Sequence, residues 1–265
     1  MDAEREQHVR SSVDSPAVRY GVPAALGAAA ALGWWWSVRM ANEMTASGMG
    51  DMGDMNMAAA APSLSAAGFL VAWLAMMAAM MLPAITPVVK LYARGAAQNR
   101  VAPVPYFVAG YLVVWTLLGA PAYLAWRALD MPLAEGATWA ARVAGVVLVA
   151  AGLWQLTPLK NTCLRHCRSP MSFFMRHAGG AGRWHGALRL GATHGAFCVG
   201  CCWALMVVLV AFGTMDLRWM AALAVLIYLE KVTAHGEGVA RVAAAIFAVG
   251  GAVLLLDPAR ITALT

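Results

Sequence analysis

The stretch Ala66–Val89, AAGFLVAWLAMMAAMMLPAITPVV, contains no charged residue. A spanning helix needs about 20 apolar residues, so this run reads as transmembrane, and the fold follows from finding its siblings. Val22–Val38, Val104–Trp126, Trp139–Thr157, Gly191–Gly213 and Val239–Leu256 have the same character. Trp219–Glu230 is shorter. At about 1.5 Å per residue it covers roughly 18 Å, against a hydrocarbon core of about 30 Å. It extends to about Thr233, thins the bilayer locally, or forms a half-helix packed in the bundle. The expected fold is all-α: a polytopic membrane helix bundle of six to seven transmembrane helices, with one short or half-spanning segment near 219–233.

Composition agrees. Of 265 residues, 62% are apolar and 12% are charged; a soluble domain carries about twice that charge. The net charge of +6 does not imply nucleic acid, because basic cytoplasmic loops produce such an excess in membrane proteins. The lipid bilayer is the partner it implies. Basic residues set the orientation. They gather in the N-terminal tail (Arg5, Arg10, Arg19), in the second loop (Lys90, Arg94, Arg100) and in the fourth (Lys160, Arg165, Arg168, Arg176, Arg183, Arg189). The first loop sets Arg39 against Glu43, Asp51 and Asp54, and the third sets Arg127 against Asp130 and Glu135. The N-terminus and the second and fourth loops are therefore expected in the cytoplasm of a bacterium, with the protein multi-pass in its inner membrane. The side of the C-terminus depends on whether the short segment crosses.

The N-terminus is too long and too acidic for a signal-peptide n-region, and no cleavage site follows the first apolar run. Four regions result: 1–21, a cytoplasmic tail; 22–38, an anchor helix; 39–63, a Met-rich extracytoplasmic loop; and 64–265, a metal-binding helix bundle. Small-residue runs such as AALGAAAALG and AVGGAV allow helices to approach closely. Trp34, Trp35 and Trp36 read as an interfacial aromatic belt.

Sulfur is concentrated in three places. The first is the outer segment MANEMTASGMGDMGDMNM, Met40–Met57. Thioethers are soft, uncharged ligands that select Cu(I) over hard cations. The spacing of Met49, Met52 and Met55 lets a loop wrap one ion. The second is MMAAMMLP, in which Met76 and Met80 share one helix face and Met77 and Met81 share another. Pro83 is expected to kink this helix.

The third place holds all five cysteines. TPLKNTCLRHCRSP carries Cys163, His166 and Cys167; HGAFCVGCCW carries His194, Cys198, Cys201 and Cys202. On a helix the second set lies on one face, with Met206 one turn beyond. The fourth loop joins the two helices, so both groups can meet at the cytoplasmic end and offer thiolates and an imidazole to one ion. Lys160, Arg165 and Arg168 are expected to lower the thiol pKa values. A reducing cytoplasm and an odd cysteine count argue against structural disulfides. Cys198-x-x-Cys201 also has redox spacing, without a thioredoxin-like context. Buried, inert packing is the third reading of these residues.

Glu230 and Lys231 close the short segment, where such a pair can sit at the interface or mark a site. Gln155 can hydrogen-bond across helices. The segment around GGAG reads as a hinged stretch on the inner membrane surface.

The motifs MMLP (Met80–Pro83), GLWQLTPLKNTCLRHCRSP (Gly152–Pro170), HGAFCVGCCWALM (His194–Met206) and YLEK (Tyr228–Lys231) resemble a bacterial family of predicted metal-binding integral membrane proteins, a domain of unknown function. The likeness runs from about Leu64 onward and implies metal binding. Together these features describe a Cu(I)-handling membrane protein for uptake, delivery or sensing, with zinc as the alternative ion. A metallochaperone or further membrane subunits are its expected protein partners. No nucleotide-binding P-loop is present, and the chain reads as a metal handler rather than an enzyme. The alternatives are an intramembrane thiol oxidoreductase and a structural subunit with a zinc or copper staple.

Overall fold

The computed structural model describes residues 16–50, 65–134, 138–212 and 216–259. Within them the chain forms α-helices and no strand. After a π-helical turn, Ala17–Gly21, the helices are α1 (Val22–Gly50), α2 (Ala66–Ala97), α3 (Val104–Ala134), α4 (Thr138–Gln155), α5 (Pro158–Arg168), α6 (Pro170–His177), α7 (Trp184–Ala211), α8 (Leu217–Val232) and α9 (Gly236–Leu256). Five of the described helices, α2, α3, α4, α7 and α9, are long and apolar enough to cross a membrane. Large apolar side chains stand exposed on them, among them Leu117, Leu153, Val242 and Ile246. A helix bundle with so much apolar surface outward has lipid as its solvent.

The boundaries differ from the sequence expectation in instructive ways. Helix α1 runs to Gly50, well past Val38. Met40 and the Arg39–Glu43 pair, 3.8 Å apart, therefore lie on helix rather than loop. The chain of Met49 falls in the last turn of α1. Its side chain, and Met52 and Met55 altogether, lie outside the described residues. Helix α2 continues as one helix through Pro83 and Pro87. The short segment is real: α8 has 16 residues, about 24 Å at the standard rise.

The fourth loop opens with a helix. Thr157 caps α5, its hydroxyl accepting from Lys160 N at 3.2 Å, and Pro158 fills the first turn, where no backbone donor is needed. Helix α5 then folds inward and packs on α7 and α8.

Helix α7 sits at the centre, in contact with α3, α4, α5 and α8. Glycines set its distance from α3. A Cβ on Gly110 would overlap the Leu188 backbone, and one on Gly191 would overlap the Phe107 backbone. Gly33 also brings α1 close to α2: a Cβ there would come within 2.5 Å of the Ala75 carbonyl oxygen. Overpacking such contacts costs about 1–3 kcal/mol. Gly191→Ala and Gly110→Ala should each lower the thermal unfolding midpoint in detergent. Gly27→Ala, with open space around it, should leave the midpoint unchanged.

Candidate metal centre

The face expected on α7 forms. His194, Cys198, Cys201, Cys202 and Met206 are all buried. Cys198 is the hub. Its sulfur accepts from Lys231 Nζ at 2.8 Å and lies 3.0 Å from the Tyr111 hydroxyl. The thiols of Cys201 and Cys202 donate to the Cys198 carbonyl at 3.0 and 2.9 Å. All five cysteines are free thiols.

Helix α5 brings the second motif to the same place. Cys167 is buried, and hydrogen bonds with Cys198 and Cys201, with burial behind them, push its thiol well above the ordinary range. Cys163 is partly exposed and faces Gly200, where a Cβ would come within 2.7 Å of its sulfur. Burial and the neighbouring Cys201 raise its thiol as well. The two cysteine motifs therefore meet. The expectation that Lys160, Arg165 and Arg168 depress these thiols does not hold. Lys160 is committed to Glu230 at 2.7 Å, and Arg168 binds the carbonyls of Thr233 and Ala234 at 2.7 and 3.0 Å. The cation at the cluster is Lys231.

The two histidines differ. His166 stacks on Phe197, with ring centroids 4.4 Å apart and planes 2° apart, and its Nδ1 lies 2.8 Å from the Thr162 carbonyl oxygen. It is held by packing. His194 is fully buried among the rings of Phe107, Tyr111 and Phe173. Neither of its ring nitrogens has a hydrogen-bond partner among the described residues. An orphaned buried imidazole is costly and calls for an explanation; a bound soft metal ion supplies one. Among the described residues no set of three or more His, Cys, Asp and Glu side chains stands ready as a metal cage. The thiols are gathered rather than pre-splayed into the tetrahedron that zinc favours.

A second polar network lies beside the first. Lys160 is fully buried and Glu230 nearly so. Gln155 Nε2 donates to Glu230 Oε1 at 2.9 Å, the cross-helix bond expected of Gln155. Glu230 and Lys231 are thus buried inside the bundle, with α5 packed against α8. Successive residues on α8 point one charge at Lys160 and the other at Cys198.

The remaining candidates are placed as follows. Met76, Met77, Met80 and Met81 are all buried in α2, so both faces of that turn are enclosed. Met206 lines an apolar cavity of about 320 Å³ with Trp73, Trp115 and Trp203. Sequence reasoning did not find Tyr111, because a tyrosine inside an apolar run gives no signal of its own. It assigned Lys160 to the thiols and missed its pairing with Glu230.

This is a membrane helix bundle whose central helix carries a buried thiol cluster hydrogen-bonded to a lysine. The chain matches the family described as "PpoB2: Copper chaperone" over residues 70–254, and it belongs to that family. The copper description sharpens the general metal-binding resemblance seen in the motifs. No curated protein and no solved structure matches the chain.

Removing one partner of a buried ion pair strands the other charge and costs about 3–5 kcal/mol, whereas replacing both with apolar groups can be neutral. Glu230→Gln should therefore sharply lower thermal stability in detergent. Lys160→Met combined with Glu230→Leu should recover most of the loss.

Proposed function

We propose that the protein is a copper chaperone of the bacterial inner membrane, with its N-terminus and thiol cluster on the cytoplasmic side. In this reading it holds Cu(I) on sulfurs of Cys198, Cys201, Cys202 and Cys167, with His194 alongside. The observation that carries the reading is the Cys198 sulfur. It lies buried between an ammonium and a phenol, with three further thiols close by. Copper here is cargo, so the site must both hold and release it.

The physical chemistry favours Cu(I). Thiolate and thioether ligands select it over hard cations, and two thiolates suffice for a linear complex. Zinc needs four ligands in a tetrahedron. Cu(I) on two thiolates carries a net negative charge. A buried charge needs a partner, and Lys231 is in place to supply it. Tyr111 offers a hydroxyl to the same sulfur. Loading displaces thiol protons, so capture is coupled to proton release. Methionines of the outer segment, including Met49, Met52 and Met55, collect the ion in this reading. Met76, Met77, Met80 and Met81 of α2 pass it on in this reading, and thioether-to-thiolate transfer runs toward tighter binding. A metallochaperone or a membrane-bound copper enzyme is the partner class at either end.

Full-length protein loaded anaerobically should retain Cu(I) through desalting, and Cys198→Ser/Cys202→Ser should not. Retention by the double variant equal to wild type would sink the reading. Lys231→Met should weaken Cu(I) by about 10–100-fold, the usual effect of losing a group that supports a metal ligand. Lys231→Arg should restore much of it. Competition with a chromophoric Cu(I) chelator measures both.

A further inference from the structure

Met40, Met76 and Met220 come from three helices, α1, α2 and α8. They line one small cavity with Trp36, Ser37, Ala72 and Leu217. Met76 and Met220 are almost wholly buried, at 3% and 1% exposure, and Met40 is half-buried. The free space is about 10 Å³, the scale of a single small occupant.

Methionine ordinarily fills irregular gaps in a core. Here three of them surround a gap that stays open. Water is a poor tenant, because a buried water needs polar partners. The hydroxyl lining this cavity, that of Ser37, already donates to the Gly33 carbonyl at 2.9 Å. No carboxylate, imidazole or thiol lines the cavity, so hard divalent cations have no ligand there. Three neutral thioethers suit a soft monovalent ion.

The position is separate from the thiol cluster. Met220 lies in the first turn of α8 and Lys231 in its last, and at 1.5 Å per residue the two are roughly 16 Å apart along the helix. Met80, one turn beyond Met76 on α2, is also buried. Met40, on α1, is the first methionine of the Met-rich segment.

We propose that Met40, Met76 and Met220 form a second Cu(I) site, a thioether station that begins at the Met-rich segment, to which Met40 belongs, and leads toward the thiol cluster. The inference rests on the copper reading above for its place in a transfer route, but its ligands are distinct. Neutral thioethers leave the ion's charge uncompensated in an apolar surround, so this station binds more weakly than the thiolates and releases its ion toward them.

The test uses the full chain in lipid nanodiscs, titrated anaerobically with Cu(I) against a chromophoric chelator. Wild type should show tight binding and a separate, weaker equivalent. Met40→Leu/Met76→Leu/Met220→Leu should lose only the weaker one. Met→Leu conserves volume and is well tolerated in cores. Should the triple variant misfold, Met220→Leu alone should weaken the second equivalent by at least about tenfold. Identical weak-range titrations for wild type and variants would overturn the proposal even if tight binding remains. A weak equivalent lost in the triple variant, in a protein with no tight Cu(I), would leave this site standing and overturn the thiol reading instead. Absence of both would overturn both.

Discussion

The arrangement depends on where α8 ends. Helix α8 closes on Glu230 and Lys231, and both side chains finish buried inside the protein. Each must then be paired, because an uncompensated charge in an apolar interior is far costlier than any packing defect. Glu230 is answered by Lys160 and Gln155, and Lys231 by Cys198. Those two demands draw α5 inward beneath α8 and fix α7 alongside. The thiol cluster sits beside the buried, charged end of the short helix.

Function follows from the same constraint. A lysine bonded to a buried cysteine is an unusual resting state for structural packing, since free cysteine ordinarily packs as a small hydrophobe. It is well suited to a site whose ligands become anionic when metal arrives. The neighbouring orphaned imidazole of His194 points the same way. Membership in a family described as copper chaperones points to copper, and the proposed sulfur ligands suit Cu(I).

Much of the fold could be read from hydropathy, because a bilayer demands long uncharged helices and few sequences disguise them. Ala66–Val89 and Val239–Leu256 are cases where run length alone decides. Helix ends were less legible. α1 continues past Val38 and α7 begins at Trp184, because helices carry on through polar residues outside the apolar core. At the site, the cysteine and histidine spacings identified the α7 face and its meeting with α5. They did not identify the balancing cation. Lys160 is near the cysteines in sequence yet turns to Glu230, while Lys231 is distant and turns to Cys198. Sequence proximity cannot choose between two lysines; the inward fold of α5 does. Tyr111 is legible only in three dimensions.

The most direct test of the central claim is copper K-edge X-ray absorption of the full-length protein, loaded anaerobically with Cu(I) and freed of excess metal. The account predicts an edge characteristic of Cu(I) and a first shell dominated by sulfur at thiolate distances. A first shell of nitrogen and oxygen alone, or a protein that emerges without copper, would contradict it.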